Sequence, residues 1–145
     1  MASFKGTYQY ILDPKNRFNL PAKMRSTFIA DDRDTVILTR GFDPCIQVYS
    51  LTEWQKREEQ LRRFSVFDTD ARKVLRMLSG NAQEYELDKQ GRVVIPQPLL
   101  QFARIEKEVL IIGMLDWIEV WSPAVYDDVH KDFDLAGTAE KMVKF

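Results

Sequence analysis

The sequence contains two copies of one small unit, and this duplication constrains the fold more than any other feature. Residues 10–21 read YILDPKNRFNLP and residues 85–96 read YELDKQGRVVIP, so Tyr, Leu, Asp, Arg and Pro coincide at an offset of 75 residues. A second block, IQVYS at 46–50, matches IEVWS at 118–122 at an offset of 72 residues. Two matched blocks in the same order indicate an internal repeat.

Each copy contains a turn with the pattern Asp-x-x-x-Arg. The turn residues are Asp-Pro-Lys-Asn at 13–16 and Asp-Lys-Gln-Gly at 88–91. An aspartate at the first position and a residue that tolerates left-handed backbone at the fourth are typical of a type I turn closed by a bulge. Arg17 and Arg92 therefore begin the returning strands, where each is close enough to pair with the aspartate of its own turn.

Hydrophobic patterns predict that each copy reads strand, turn, strand, short helix, strand, strand, helix. The apolar, β-branched runs at 36–39 and 109–112 predict buried strands. A capping box at 50–53 predicts the start of a helix that continues to about residue 64. Between the copies, apolar residues at helical spacing over 71–78 predict a helix that ends at Gly80.

These elements predict a mixed α+β fold that is rich in β-structure. The β-rich unit in each half of the chain has roughly 50 residues, which is too few to bury a stable core alone. We therefore expect the two copies to complete each other by interleaving their hairpins about a pseudo-two-fold axis. The expected boundaries are a first unit at 6–54, a helical connector at 55–80, a second unit at 81–126 and a C-terminal helix or tail at 127–145.

Charge is distributed unevenly along the chain. The formal net charge is −1, from 21 Lys and Arg against 22 Asp and Glu. Residues 1–25 nevertheless carry five basic residues and one acidic residue, whereas residues 116–134 carry one basic and six acidic residues. Binding responds to the local electrostatic field more than to the total charge. The basic N-terminal segment is therefore compatible with nucleic-acid binding despite the net charge of the chain.

The sequence contains no pattern typical of catalysis or of a bound cofactor. His130 and Cys45 are the single histidine and the single cysteine, too few for a metal site. There is no Gly-rich phosphate loop and no nucleophile–base pair, so we expect no enzyme, no cofactor and no small-molecule substrate. No apolar run is long enough for a membrane span, no signal-peptide pattern occurs, and a lone cysteine suits a reducing cytoplasm.

The two Asp-x-x-x-Arg turns, each with a Tyr-x-Leu lead-in and a trailing Pro, resemble those of the MraZ family of bacterial regulators. The resemblance covers the chain from about Gly6 to Phe133. It implies two AbrB-like (SpoVT-AbrB, swapped-hairpin) units that form a pseudo-two-fold β-barrel flanked by helices. One departure is Asn16, which stands where the family usually has Gly, but Asn tolerates the left-handed conformation.

The same resemblance implies a function. It implies a cytoplasmic, nucleoid-associated DNA-binding transcriptional regulator that assembles into a ring of homo-oligomers, usually described as eight subunits. The implied target is double-stranded promoter DNA with tandem short repeats, upstream of the division and cell-wall gene cluster that includes the regulator's own gene. The implied effect there is repression.

In the MraZ family the DNA contacts centre on the first turn. By position, the resemblance implies that Lys15 and Arg17 make these contacts in this chain. Arg92 is the matching arginine of the second turn. Arginine suits this role because its planar fork can grip a phosphate or the O6/N7 edge of guanine. Lys5, Lys23 and Arg25 are weaker candidates, because an exposed, solvated surface explains them almost as well. The candidate DNA-binding residues are Lys5, Lys15, Arg17, Lys89 and Arg92, with Asp13 and Asp88 as the residues that orient the two arginines.

Other interpretations of these features stay open. One alternative is that each Asp–Arg pair has a purely structural role, in which it stabilises its hairpin or forms a contact across a subunit interface. A basic helical cluster is interpreted as an exposed or subunit-contacting face: Arg57, Arg62, Arg63, Arg72, Lys73 and Arg76. The alternative functions are an oligomeric protein-interaction module whose acidic 116–134 face docks a partner, and an AbrB-type antitoxin, which usually carries a single unit and a disordered tail.

Overall fold

The computed structural model of the protein describes residues 3–32 and 34–143. The first copy comprises β1 (Thr7–Ile11), β2 (Arg17–Asn19), α1 (Ala22–Asp32), β3 (Thr35–Arg40), β4 (Ile46–Ser50) and α2 (Leu51–Arg62). The connector is α3 (Thr69–Ser79). The second copy comprises β5 (Gln83–Glu86), β6 (Arg92–Val94), α4 (Gln97–Ala103), β7 (Glu108–Gly113), β8 (Ile118–Trp121) and α5 (Pro123–His130), followed by α6 (Leu135–Met142). The predicted order of elements and the mixed α+β class are confirmed.

The two copies exchange their first strands. The main sheet has six antiparallel strands in the order β1-β7-β8-β4-β3-β5, and β2 pairs with β6 in a separate two-stranded ribbon. Strand β1 of the first copy thus pairs with β7 of the second, and β5 of the second copy pairs with β3 of the first. The interleaving predicted from the small size of each half is confirmed.

A pseudo-two-fold axis relates the two copies. In the centre of the main sheet, Gln47 lies opposite Glu119, which is its own equivalent in the second copy. In the ribbon, Phe18 lies opposite Val93, again its equivalent. The axis passes through both pairs, so each copy supplies half of the main sheet and half of the ribbon.

One hydrophobic core fills the space between the main sheet, the ribbon and helices α1 and α4. Its buried residues come from both copies and include Phe4, Phe18, Phe28, Val48, Val93, Ile111 and Val120. Tyr8 and Tyr10 alternate along β1 with exposed residues and pack against this core from the edge of the sheet. Because each half contributes side chains to the same core, neither half is an independent folding unit.

Helices cover the opposite face of the main sheet. The predicted helix start at Ser50 is confirmed, since the Ser50 hydroxyl accepts a hydrogen bond of 3.2 Å from the Glu53 N–H, while the Glu53 carboxylate pairs with Lys56. Helix α2 packs over β3 and β4, α3 packs over β3, and α5 packs over β7. Helix α3 ends at Ser79, and Gly80 follows it, as predicted. No helix in the described residues is both long and apolar enough to cross a membrane.

Candidate nucleic-acid interface

The first Asp-x-x-x-Arg turn is built around the Asp13 carboxylate. Its Oδ1 accepts hydrogen bonds from the backbone N–H groups of Lys15 and Arg17, both at 2.9 Å. The Asn16 N–H donates to the Asp13 carbonyl oxygen at 2.9 Å, and the Asp13 N–H donates to the Arg17 carbonyl oxygen at 3.0 Å. Asn16 has φ of 58°, so the predicted left-handed position is confirmed and Asn replaces Gly there without disrupting the turn.

The second turn repeats this arrangement around Asp88. Its Oδ1 accepts from the N–H groups of Gln90 and Arg92, both at 2.9 Å, and Gly91 takes the left-handed position with φ of 75°. The Arg25 side chain lies against Gly91, since a methyl group at that position would come within 2.6 Å of it. Helix α1 of the first copy therefore presses a guanidinium against the turn of the second copy.

Each aspartate uses its second oxygen to hold the arginine of its own turn. The Arg17 Nε donates to Asp13 Oδ2 at 2.7 Å, and the Arg92 Nε donates to Asp88 Oδ2 at 2.6 Å. These are charge-assisted hydrogen bonds, which are shorter and stronger than neutral ones. The predicted pairing within each turn is confirmed, and it fixes the orientation of both guanidinium planes.

The two turns also meet each other, because β2 and β6 are partners in the ribbon. The Arg92 Nη1 lies 3.8 Å from Asp13 Oδ2, and the Arg17 Nη1 lies 4.0 Å from Asp88 Oδ2. Asp13, Arg17, Asp88 and Arg92 thus form one four-residue group, here called the turn cluster. The sequence pattern predicted two separate pairs. Their meeting follows only from the pseudo-two-fold pairing of β2 with β6.

Hydrogen bonding keeps both carboxyl groups ionised. Burial acts to raise the pKa of Asp13, but the hydrogen bonds from the Arg17 backbone and side chain outweigh it and lower the pKa overall. The hydrogen bond from the Arg92 backbone is the largest influence on Asp88 and lowers its pKa likewise. At neutral pH the turn cluster therefore holds two negative and two positive charges.

The positive charge of this surface comes from residues around the turn cluster. Lys15 and Lys89 are exposed on the two turns. The Arg25 Nη2 donates to the Lys89 carbonyl oxygen at 3.4 Å, so the two turns and the start of α1 share one surface. Arg25, only a weak candidate from the sequence, is brought to the site by its contact with Gly91.

Lys5 lies elsewhere. It precedes β1, next to the bridge between Phe4 and Leu115, whereas the first turn follows the other end of that strand. At about 3.3 Å per residue, β1 and its flanking residues place on the order of 20 Å between Lys5 and Asp13. Four of the five candidate DNA-binding residues are thus brought together, and Lys5 is not.

The ribbon extends the surface of the turn cluster. In each strand the middle residue is buried in the core, so the residues on either side of it point outward. The outward set is Arg17 and Asn19 from β2, with Arg92 and Val94 from β6. Arg17 lies opposite Val94, and Asn19 lies opposite Arg92. Asn19 and Val94 are not among the residues predicted from the sequence, although their alternation with apolar neighbours indicates that they face outward.

The single cysteine and the single histidine take no part in this surface. Cys45 is buried, and burial together with the nearby Glu119 raises the pKa of its thiol far above the ordinary value. His130 lies on α5, where its ring stacks on Tyr126 at 4.1 Å between centroids. In the described part of the chain, no group of three or more His, Cys, Asp or Glu residues is arranged to hold a metal ion.

Two tandem units that exchange hairpins across a pseudo-two-fold axis, and that bring two Asp-x-x-x-Arg turns together there, define a duplicated swapped-hairpin protein of the AbrB type. Comparison with known families is consistent with this class. The model of the family described as "MraZ protein, putative antitoxin-like" matches residues 3–77 and 78–145. The chain belongs to the MraZ family.

Relatives with similar sequences span nearly the whole chain. A protein of Clostridium beijerinckii named Transcriptional regulator MraZ is 42% identical over 142 residues, which cover 96% of each chain. A protein of Clostridium acetobutylicum with the same name is 40% identical over 140 residues, again with 96% of each chain covered. The match therefore includes both turns, the connector and the C-terminal helices.

Proposed function

We propose that the protein is a DNA-binding transcriptional regulator that contacts double-stranded DNA through the turn cluster and the outward face of the ribbon. The observation that carries this proposal is the meeting of both turns on one surface, with Lys15 and Lys89 beside the two arginines. The names of the two clostridial relatives support the same function.

The geometry suits DNA in two respects. The major groove admits a two-stranded β-ribbon, and β2–β6 is such a ribbon with its arginines outward. Each aspartate holds the Nε of its own arginine, and the Nη1 of that arginine faces the aspartate of the other turn, so Nη2 is the group placed to bind a phosphate or a guanine edge. Because the side chains are already ordered, binding loses less conformational entropy than it would with free arginines.

The finer target is also part of the proposal. We propose tandem short repeats upstream of the division and cell-wall gene cluster, including the regulator's own gene, with repression as the outcome and the nucleoid of the cytoplasm as the place of action. The duplicated unit, and a C-terminal segment folded into α5 and α6, support this regulator over an antitoxin with one unit and a disordered tail.

The test is a gel-shift titration on the DNA upstream of the protein's own gene. Arg17→Ala should weaken binding by about 1–3 kcal/mol, a factor of roughly 5–150 in Kd, and Arg92→Ala should weaken it less. Both substitutions leave the turn cluster with a net negative charge, but β5 adds Glu84 and Glu86 near the second turn, whereas the first turn lies in the basic segment.

A matched pair of lysines controls for general loss of charge. Lys15→Ala should lower the affinity more than Lys5→Ala, because Lys5 lies at the other end of β1. All variants should keep the wild-type mass on a sizing column. Equal effects of Lys15→Ala and Lys5→Ala would argue against the turn cluster as the contact. If the Arg17→Ala variant disassembled, the result would indicate that the Asp–Arg pairs have a purely structural role.

A further inference from the structure

The two carboxylates of the turn cluster each face two arginines. Asp88 Oδ2 accepts the hydrogen bond from Arg92 Nε at 2.6 Å and also lies 4.0 Å from Arg17 Nη1. Asp13 Oδ2 accepts from Arg17 Nε at 2.7 Å and lies 3.8 Å from Arg92 Nη1. Each arginine is therefore held at Nε by the carboxylate of its own turn, and its Nη1 faces the carboxylate of the other turn.

The turn cluster carries no net charge, because its two carboxylates balance its two guanidinium groups. All four side chains are partly buried, with exposed fractions between 26% and 33%. Salt screens partly buried charges less than fully exposed ones. The carboxylates therefore act electrostatically on any charged group that approaches the two arginines.

The Nη2 group of each arginine can donate to two kinds of acceptor on DNA, a phosphate oxygen or the O6/N7 edge of guanine. These acceptors differ in charge, because the phosphate is an anion and the guanine edge is neutral. A phosphate at Nη2 would lie close to both carboxylates of the turn cluster, and like charges across an interface are unfavourable. A guanine edge at the same place meets no such repulsion.

The lysines beside the turn cluster are better placed for phosphates than the arginines are. Lys15 lies on the first turn and Lys89 on the second, and both are exposed. Within the described ranges, neither lysine forms an ion pair with a carboxylate. A lysine ammonium group without such a partner is a compact charge that attracts phosphates whatever the base sequence. Each turn thus carries one neutralised cation and one free cation.

We propose that Asp13 and Asp88 are specificity-determining residues, which weaken the attraction of both arginines for phosphates and orient them towards guanine edges. Each carboxylate acts across the pseudo-two-fold axis on the arginine of the other turn, so neither turn reads DNA independently. Selectivity of this kind comes from making the wrong contact unfavourable as well as from making the right contact stronger. This role rests on the proposed function, because it concerns the same surface and the same DNA.

Asp88→Asn tests the proposal, with Glu86→Gln as its matched control. Both substitutions remove one negative charge from the same part of the chain, but within the described residues the exposed Glu86 forms no ion pair with either arginine. The asparagine Oδ1 can still accept the N–H groups of Gln90 and Arg92, so the turn should be retained. Asp88→Ser, whose hydroxyl can close the same kind of turn, is a second variant that should behave as Asp88→Asn does.

The measurement is Kd for two duplexes, one from the DNA upstream of the protein's own gene and one of the same base composition in shuffled order. Asp88→Asn and Glu86→Gln should both bind the shuffled duplex more tightly than the wild type does, because each variant repels phosphates less. The ratio of the shuffled to the upstream Kd should fall in Asp88→Asn by at least a factor of roughly 5, the low end for one good arginine–guanine contact. The ratio should keep its wild-type value in Glu86→Gln.

A background without Arg92 isolates the action across the axis. In Arg92→Ala the arginine of the second turn is gone, and Arg17 still faces Asp88. Adding Asp88→Asn to this background should again lower the ratio of the two Kd values. Adding it to a background with both Arg17→Ala and Arg92→Ala should leave the ratio unchanged, because no arginine of the turn cluster remains to be oriented.

Three results would overturn the proposal. They are an unchanged ratio in Asp88→Asn, an equal fall of the ratio in Glu86→Gln, and weaker binding of the shuffled duplex by Asp88→Asn. An unchanged ratio on adding Asp88→Asn to Arg92→Ala would overturn the action across the axis. Failure of the proposed function is distinguishable, because the wild type would then bind both duplexes equally or Arg17→Ala would bind as the wild type does.

Discussion

At the scale of single residues, the two turn aspartates each perform two tasks with two oxygens. In Asp13, Oδ1 closes the turn by accepting two backbone N–H groups, and Oδ2 orients the guanidinium of Arg17. Asp88 does the same in the second turn. The shape of the turn and the aim of its arginine therefore depend on the same ionised carboxyl group.

This dependence predicts a pH effect on stability. The folded-state pKa of Asp13 lies below its ordinary value of 3.8, so its ionised form stabilises the fold fully above that value. The contribution is lost as the pH falls from there through the lowered pKa. In urea unfolding, the excess stability of the wild type over Asp13→Asn should hold from pH 7 to about pH 5 and shrink below pH 3.8.

Asp116→Asn is the control for this experiment, because Asp116 is an exposed aspartate outside the turn cluster. Its difference from the wild type should be small at every pH. An excess stability that stayed constant down to pH 2 would mean that the Asp13 carboxylate is not held in its ionised form by the turn.

At the scale of elements, the two strands of the ribbon β2–β6 carry equivalent arginines, but the other outward-facing residue differs between the strands. Asn19 and Val94 are equivalent positions on its outward face, yet one is an amide and the other an aliphatic side chain. An asparagine can bind the N6/N7 edge of adenine, whereas a valine can only contact an apolar group such as the thymine methyl. One ribbon should therefore read two half-sites that differ in sequence.

We expect Asn19→Ala to relax base preference at one position of the DNA box. A lost bidentate contact to a base amounts to about 1–3 kcal/mol of discrimination. Selection from a randomised box by the wild type and the variant measures this, and the salt dependence of binding should be unchanged because no phosphate contact is lost. Asn81→Ala, at an asparagine outside the ribbon whose side chain donates to the Met77 carbonyl oxygen at the end of α3, serves as the control. An unchanged preference in Asn19→Ala would place the base contacts elsewhere.

Much of this element structure could be predicted from the sequence. The offset of 75 residues identified both turns, and the left-handed Asn16 and Gly91 followed from turn chemistry. The contact between the two turns could not be predicted, because it depends on the pairing of β2 with β6. Local sequence patterns do not specify which strands pair. The contact of Arg25 with Gly91 was missed for the same reason, since it joins α1 to a turn of the other copy.

At the scale of the whole molecule, one subunit offers few cationic contacts, so binding should require several subunits on several boxes. Neighbouring subunits of an assembly make later contacts intramolecular, which can raise the affinity by roughly 10²–10⁴. Three subunits that each neutralise two phosphates predict a log–log salt slope of about −5. Gel shifts with one, two and three boxes at several salt concentrations measure both effects.

The fixed spacing of such an assembly gives a further control on the same DNA. A five-base insertion between boxes turns the second box by about half a helical turn, so it should weaken binding, whereas a ten-base insertion should weaken it less. A single box that bound as tightly as three, or a five-base insertion without effect, would contradict multivalent binding even if the protein binds DNA.

The exchange of strands between the two copies also bears on how the chain is made. Thr7 of β1 pairs with Ile112 of β7, so β1 leaves the ribosome roughly 100 residues before its partner strand. At about 5–20 residues per second, the first strand remains unpaired for on the order of 5–20 seconds of synthesis. Contacts so distant in sequence also slow folding. We therefore expect the main sheet to form only after translation has reached β7, with no folded intermediate from the first copy alone.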